Sequence, residues 1–132
     1  MLFAPNARGT YTGFTLIELL VVMAILATLL TIGVPRYFAS VERSKEAVLR
    51  ENLRVVRDAI DKYYADNGRY PETVETLASR RYLRAIPVDP ITESATTWVT
   101  IGPPEDPGRA GIYDIRSGAE GNTSGGTPYG QL

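Results

Sequence analysis

Chemistry in this chain concentrates in one short stretch, Gly13-Phe14-Thr15-Leu16-Ile17-Glu18. It opens an apolar run of 21 residues, Phe14 to Val34, in which Glu18 is the only charged side chain. A carboxylate inside a segment of bilayer length costs several kcal/mol unless it is partnered, so Glu18 is a candidate functional residue. Gly13 is the one small residue well placed for proteolysis. Cutting after it would keep the apolar run and give Phe14 a new α-amino group, four residues from Glu18. That ammonium, or the terminus of a neighbouring chain, is the natural partner for the carboxylate. An intersubunit pair of this kind would both drive docking and set axial register.

Elsewhere the composition mostly excludes. Cysteine and histidine are both absent, which removes disulfides, the usual zinc sites and the Ser-His-Asp or Cys-His nucleophiles. No G-x-x-x-x-G-K-[ST] pattern occurs, so nucleotide hydrolysis has no phosphate loop. Glu105-Asp106 and Asp89 read as turn and loop carboxylates, not as an acid–base pair, and no enzyme is expected. The net charge of −1 comes from acids and bases scattered among one another, which gives no footprint for nucleic acid.

The elements that must position Phe14 and Glu18 follow. An ordinary secretory signal carries a shorter apolar stretch and a small-residue cleavage site after it; here Ala39 and Ser40 lie beyond Pro35. From Arg36 to about Asn67 the pattern is helical. Leu49, Leu53, Val56, Ile60 and Tyr63 fall on one face, with Tyr64 broadening the stripe. Glu46 with Arg50, Arg54 with Asp58 and Arg57 with Asp61 stand at ion-pair spacing, each worth about 0.2–0.5 kcal/mol. Gly33 and Pro35 mark a helix break or weak point, with Thr28 and Thr31 placed to bond freed carbonyls. Asn67-Gly68 reads as the helix stop.

Beyond it, Glu72 to Ser79 suggests a short helix, and Tyr82-Leu83 and Ile86-Pro87 read as apolar plugs against the long helix. Thr96–Ile101 and Ile112–Arg116 read as strands, with Ile112, Asp114 and Arg116 opposite Tyr113 and Ile115. The Pro- and Gly-rich stretch from Gly102 to Gly111 is a loop. The expected class is α+β: a long N-terminal helix packed against a small antiparallel sheet. The tail, Ser117 to Leu132, is glycine-rich and aperiodic, either disordered or a folded loop tied down by polar contacts or a metal.

Gly13-Phe14-Thr15-Leu16-Ile17-Glu18-Leu19 resembles the processing site of type IV pilins and type II secretion pseudopilins. Asp66-Asn67-Gly68-Arg69-Tyr70-Pro71, Tyr82 to Pro90 and Tyr113 to Gly121 resemble the major pseudopilin of type II secretion. The resemblance implies a prepilin leader at 1–13 and a transmembrane polymerisation helix at 14–35. An amphipathic helix at 36–67 then leads into an α+β head with a C-terminal loop at 68–132. It implies cleavage after Gly13, methylation of Phe14 and an assembly role for Glu18, and it sets Pro35 where the family has a helix-disrupting proline.

Expected partners are further copies of the chain in a helical filament, minor pseudopilins, a prepilin peptidase, membrane lipid and an inner-membrane assembly platform with its cytoplasmic ATPase. The expected place is a single pass of the inner membrane, with the head in the periplasm or outside. The alternatives are a type IV pilus subunit, or a monomeric membrane-tethered binding domain using the Gly102–Gly111 loop and the tail.

The resemblance also implies calcium in the loop after the last strand. Calcium takes about six to eight oxygens, several from carboxylates, whereas the tail offers Glu120 as its one carboxylate, with Ser117, Asn122, Thr123 and Ser124 as neutral oxygens. Gly125-Gly126-Thr127 stands where the family commonly has aspartates. A solvated or self-packed loop is the favoured expectation, and no cofactor is required.

Overall fold

The computed structural model describes residues 2–5, 8–106 and 108–132. The chain divides into two compact units, Met1–Phe38 and Ala39–Leu132, and its elements are a long helix α1 (Leu16–Asn67), a short helix α2 (Val74–Ser79), strands β1 (Val99–Ile101) and β2 (Asp114–Arg116), and a terminal 3-10 turn, Tyr129–Gln131.

In the first unit α1 is apolar on every side, with an 18-residue window of mean hydropathy 2.5 and none of that window buried. By length and composition it can cross a membrane. The helix break expected at Gly33 and Pro35 is not found: helical backbone continues through both residues. Proline fixes φ close to the helical value, so it stays in the helix while forfeiting one hydrogen bond. The threonines do not compensate for that loss. Thr28 Oγ1 donates to the Ala24 carbonyl at 2.8 Å and Thr31 Oγ1 to the Ala27 carbonyl at 2.7 Å. The carbonyl that Pro35 leaves without its helical donor is that of Thr31.

In the second unit the expected stripe closes a core. Leu49, Leu53, Val56, Ile60 and Tyr63 are buried together with Val74, Leu77, Leu83, Ile112, Ile115 and Tyr129. Each fully buried large side chain contributes about 1.5–3 kcal/mol. Tyr64 departs from the stripe; it is exposed and stacks on Tyr70, ring centroids 4.5 Å apart. α1 stops where Gly68 takes φ +68° and Asn67 Nδ2 returns to the Tyr63 carbonyl at 2.9 Å, a C-terminal cap that favours glycine. α2 starts after Thr73, whose hydroxyl accepts the Thr76 N–H.

The sheet is antiparallel, with Val99 opposite Arg116 and Ile101 opposite Asp114, and both strands are three residues long, shorter than the pattern suggests. Thr96 and Thr97 are drawn off by local hydroxyl bonds, Thr96 N–H to Ser94 Oγ at 3.1 Å and Thr97 Oγ1 with Thr92 Oγ1 at 2.6 Å, a competition typical of these residues. At the other strand the Ile112 amide donates to the Pro71 carbonyl at 2.8 Å. Ile112 therefore turns inward with Ile115 while Tyr113 stays exposed, so the strict alternation expected from Ile112 to Arg116 does not hold at its start.

The loop before β1 is organised by Asp89, which is fully buried. Its Oδ1 accepts the Ile91 and Thr92 amides, and its Oδ2 accepts the Ser117 hydroxyl. Two amides and one hydroxyl thus hold the carboxylate in place, and the loop reading of Asp89 stands.

Candidate assembly site at the start of the apolar helix

Thr15 and Glu18 form a reciprocal pair at the head of α1. The Glu18 amide donates to Thr15 Oγ1 at 3.2 Å, and the Thr15 amide donates to Glu18 Oε2 at 3.3 Å. The first helical bond, Leu19 N–H to the Thr15 carbonyl, measures 3.2 Å. This is a capping box: a threonine at the N-cap and a glutamate three residues on each satisfy an otherwise orphaned N–H of the first turn. The carboxylate also faces the positive end of the helix dipole. Thr12, Gly13, Phe14 and Glu18 line one shallow recess there, so the bond after Gly13, the residue that follows it and the carboxylate are brought together. Phe14 itself is exposed.

The Thr-x-x-Glu signal is legible at 15–18, yet charge alone assigns Glu18 to an intersubunit role and overlooks the cap. The two functions are compatible. A carboxylate has about four acceptor positions, and the Thr15 amide takes one of them, which leaves capacity for an ammonium.

The charged face of α1 is arranged differently from the helical pairs expected. Arg54 bonds Asp58 at 2.8 Å as its spacing predicts, and also Glu51 at 2.6 Å; the Arg54 guanidinium holds the Glu51 carboxyl below its usual range. Arg57 turns from Asp61 to Asp114 of β2, at 2.7 Å, and donates to the carbonyl oxygens of Ile115 and Leu132. Glu46 turns from Arg50 to the tail, where it meets Ser124. Tertiary partners offering several donors or acceptors outcompete single pairs on the helix surface.

Of the residues considered for calcium, Ser117 and Thr123 are buried while Glu120 and Asn122 are exposed. Ser117 Oγ is occupied by Asp89 and by the Ala119 amide, and Thr123 Oγ1 by the Thr127 amide. Among the described residues no three acidic side chains gather.

An apolar helix headed by Gly13, Phe14 and a capping glutamate, followed by a small α+β head, defines the class of pilin-like membrane-anchored subunits. The prokaryotic N-terminal methylation motif matches residues 9–34. The type II secretion system core protein G of Pseudomonas aeruginosa is 31% identical over 135 aligned residues, covering 89% of this chain and 90% of that one. Its counterpart in Escherichia coli is 27% identical over 85% of this chain. A type IV major pilin protein, PilA of Myxococcus xanthus, is 35% identical over 70 residues, 53% of this chain and 30% of that one. No solved structure matches. The chain belongs to the type II secretion core protein G family, the major pseudopilins.

Proposed function

We propose that this chain is the repeating subunit of a pseudopilus, a helical filament assembled from the inner membrane to drive protein export. The observation that carries the reading is the core protein G similarity along nearly the whole chain. The pilin similarity covers only about half of it, which favours export over a type IV pilus. The chain's work is mechanical and no catalysis is assigned to it; energy comes from a separate cytoplasmic ATPase acting through an assembly platform.

A prepilin peptidase would cut after Gly13 and methylate Phe14. Since Thr15 keeps its amide in the shortened chain, the capping box survives processing. Glu18 would then offer its remaining acceptor positions to a Phe14 ammonium, its own or a neighbour's, and so register subunits as they leave the bilayer. Pro35 and the threonine carbonyl it frees make the local helix easier to open, which lets the segment adjust as copies pack. Minor pseudopilins would share the same docking.

Two substitutions separate cap from charge. Glutamine preserves a capping box, so Glu18→Gln keeps the helix start and membrane insertion while removing the charge. Filament yield, scored by shearing and electron microscopy, is expected to fall by roughly tenfold or more in both Glu18→Gln and Glu18→Ala, about 1.4 kcal/mol or more. Normal filaments from Glu18→Gln would reduce Glu18 to a helix cap, a role that a simple tether would also use.

A further inference from the structure

The tail folds back into a closed turn. The Thr123 amide donates to the Thr127 carbonyl at 2.8 Å, the Gly126 amide to the Thr123 carbonyl at 2.9 Å, and the Tyr129 amide to the Gly121 carbonyl at 3.1 Å. Gly126 sits at φ +85°, where glycine is favoured. Asn122 and Pro128 face each other across the turn in an isolated antiparallel bridge. One residue from outside holds its tip. Glu46 of α1, 78 residues away, is 6% exposed. Its Oε1 accepts the Ser124 backbone N–H and its Oε2 accepts the Ser124 hydroxyl at 2.9 Å.

The polarity of this contact is the opposite of what calcium needs. A cation is ligated by acceptor oxygens, whereas the tip of this loop presents an N–H and an O–H, two donors, to a carboxylate. The hydroxyls of Ser117 and Thr123 are engaged as described, Glu120 stands exposed, and among the described residues no three acidic side chains gather. The donor set therefore does not fit calcium.

We propose that Glu46 fastens the C-terminal loop of this chain in place of a metal ion, making the folded head independent of calcium. A charged acceptor that is nine-tenths buried and takes two donors from a single residue makes hydrogen bonds of the strong, charge-assisted kind. Glu42 and Arg43 line the same recess as Glu46 and Ser124. This inference rests on the head alone and is independent of the export reading.

The test uses the full chain in detergent, with amide hydrogen exchange across residues 121–129 and thermal unfolding followed in millimolar calcium chloride or in EGTA. The wild type is expected to show the same loop protection and the same midpoint in both. Glu46→Ala should speed exchange of the Ser124 segment by roughly tenfold or more, with no rescue by calcium, while Glu42→Ala should leave it unchanged. Should Glu46→Ala fail to fold, Glu46→Asp, which keeps the charge and shortens the reach, carries the same comparison. Loss of wild-type protection or midpoint in EGTA would overturn the proposal, as would unaltered loop exchange in the Glu46 variants.

Discussion

The two stretches of α1 share one backbone conformation and differ in what surrounds them. From Leu16 to Val34 every large apolar side chain is exposed, whereas Leu49, Leu53, Val56 and Ile60 are covered by the rest of the chain. Helix propensity does not separate them; periodicity does. The first stretch is apolar all round and can bury nothing within its own chain, so lipid or further copies must cover it. The second confines its apolar residues to one stripe, which the α2, Leu83, β2 and Tyr129 side chains close over. One stretch is built for assembly and the other for folding.

The sharpest way to break that comparison is to cut between the two. A chain beginning at Ala39 retains every buried core residue, so it is expected to be soluble, monomeric and cooperatively folded without detergent, as read by sedimentation velocity and circular dichroism. A fragment that needs detergent would mean that the head is not self-sufficient.

Point substitutions sharpen it next. Leu53→Ala removes a side chain 1% exposed and should destabilise the head by about 2–5 kcal/mol in denaturant titration. Leu26→Ala in the apolar stretch is expected to move head stability by no more than about 0.5 kcal/mol. Equal losses would mean that the two stretches are not energetically separate.

A smaller effect concerns alkaline pH and belongs to the head alone. Burial raises the phenol pKa of Tyr70 and of Tyr129, and a hydrogen bond to Asp66 raises that of Tyr82. A group whose folded pKa lies above its unfolded one contributes stability that is complete below the unfolded value. That stability is lost as pH rises through the folded value. The unfolding midpoint of the head is thus expected to fall from about pH 9 to about pH 11, across the ordinary tyrosine range near 10, and a flat profile would contradict the burial of these rings.

The long helix was legible because its periodic signal is local and repeated, and so was its stop at Asn67-Gly68. Leu83 was legible as core for a different reason: the short apolar pair Tyr82-Leu83 stands between arginines and has the long helix to pack on. The strand lengths were not, because Thr96 and Thr97 found hydroxyl partners a few residues away instead of a ladder. Helical spacing paired Arg57 and Glu46 with neighbours on α1, while folding paired them with Asp114 and Ser124, far along the chain. No local pattern announces such contacts. At the candidate site the glycine, phenylalanine and glutamate were readable from residue type and spacing. The cap at Thr15 was readable too, though obscured by the attention that a lone charge draws.

In the proposed filament the apolar stretch enters the membrane behind a cleavable leader and matures for assembly. Intact mass and terminal peptide mapping of the protein from native membranes test it most directly. A mature chain beginning at N-methylated Phe14 is the predicted result. A chain still beginning at Met1, or one beginning near Ala39 with the apolar stretch removed, would contradict it.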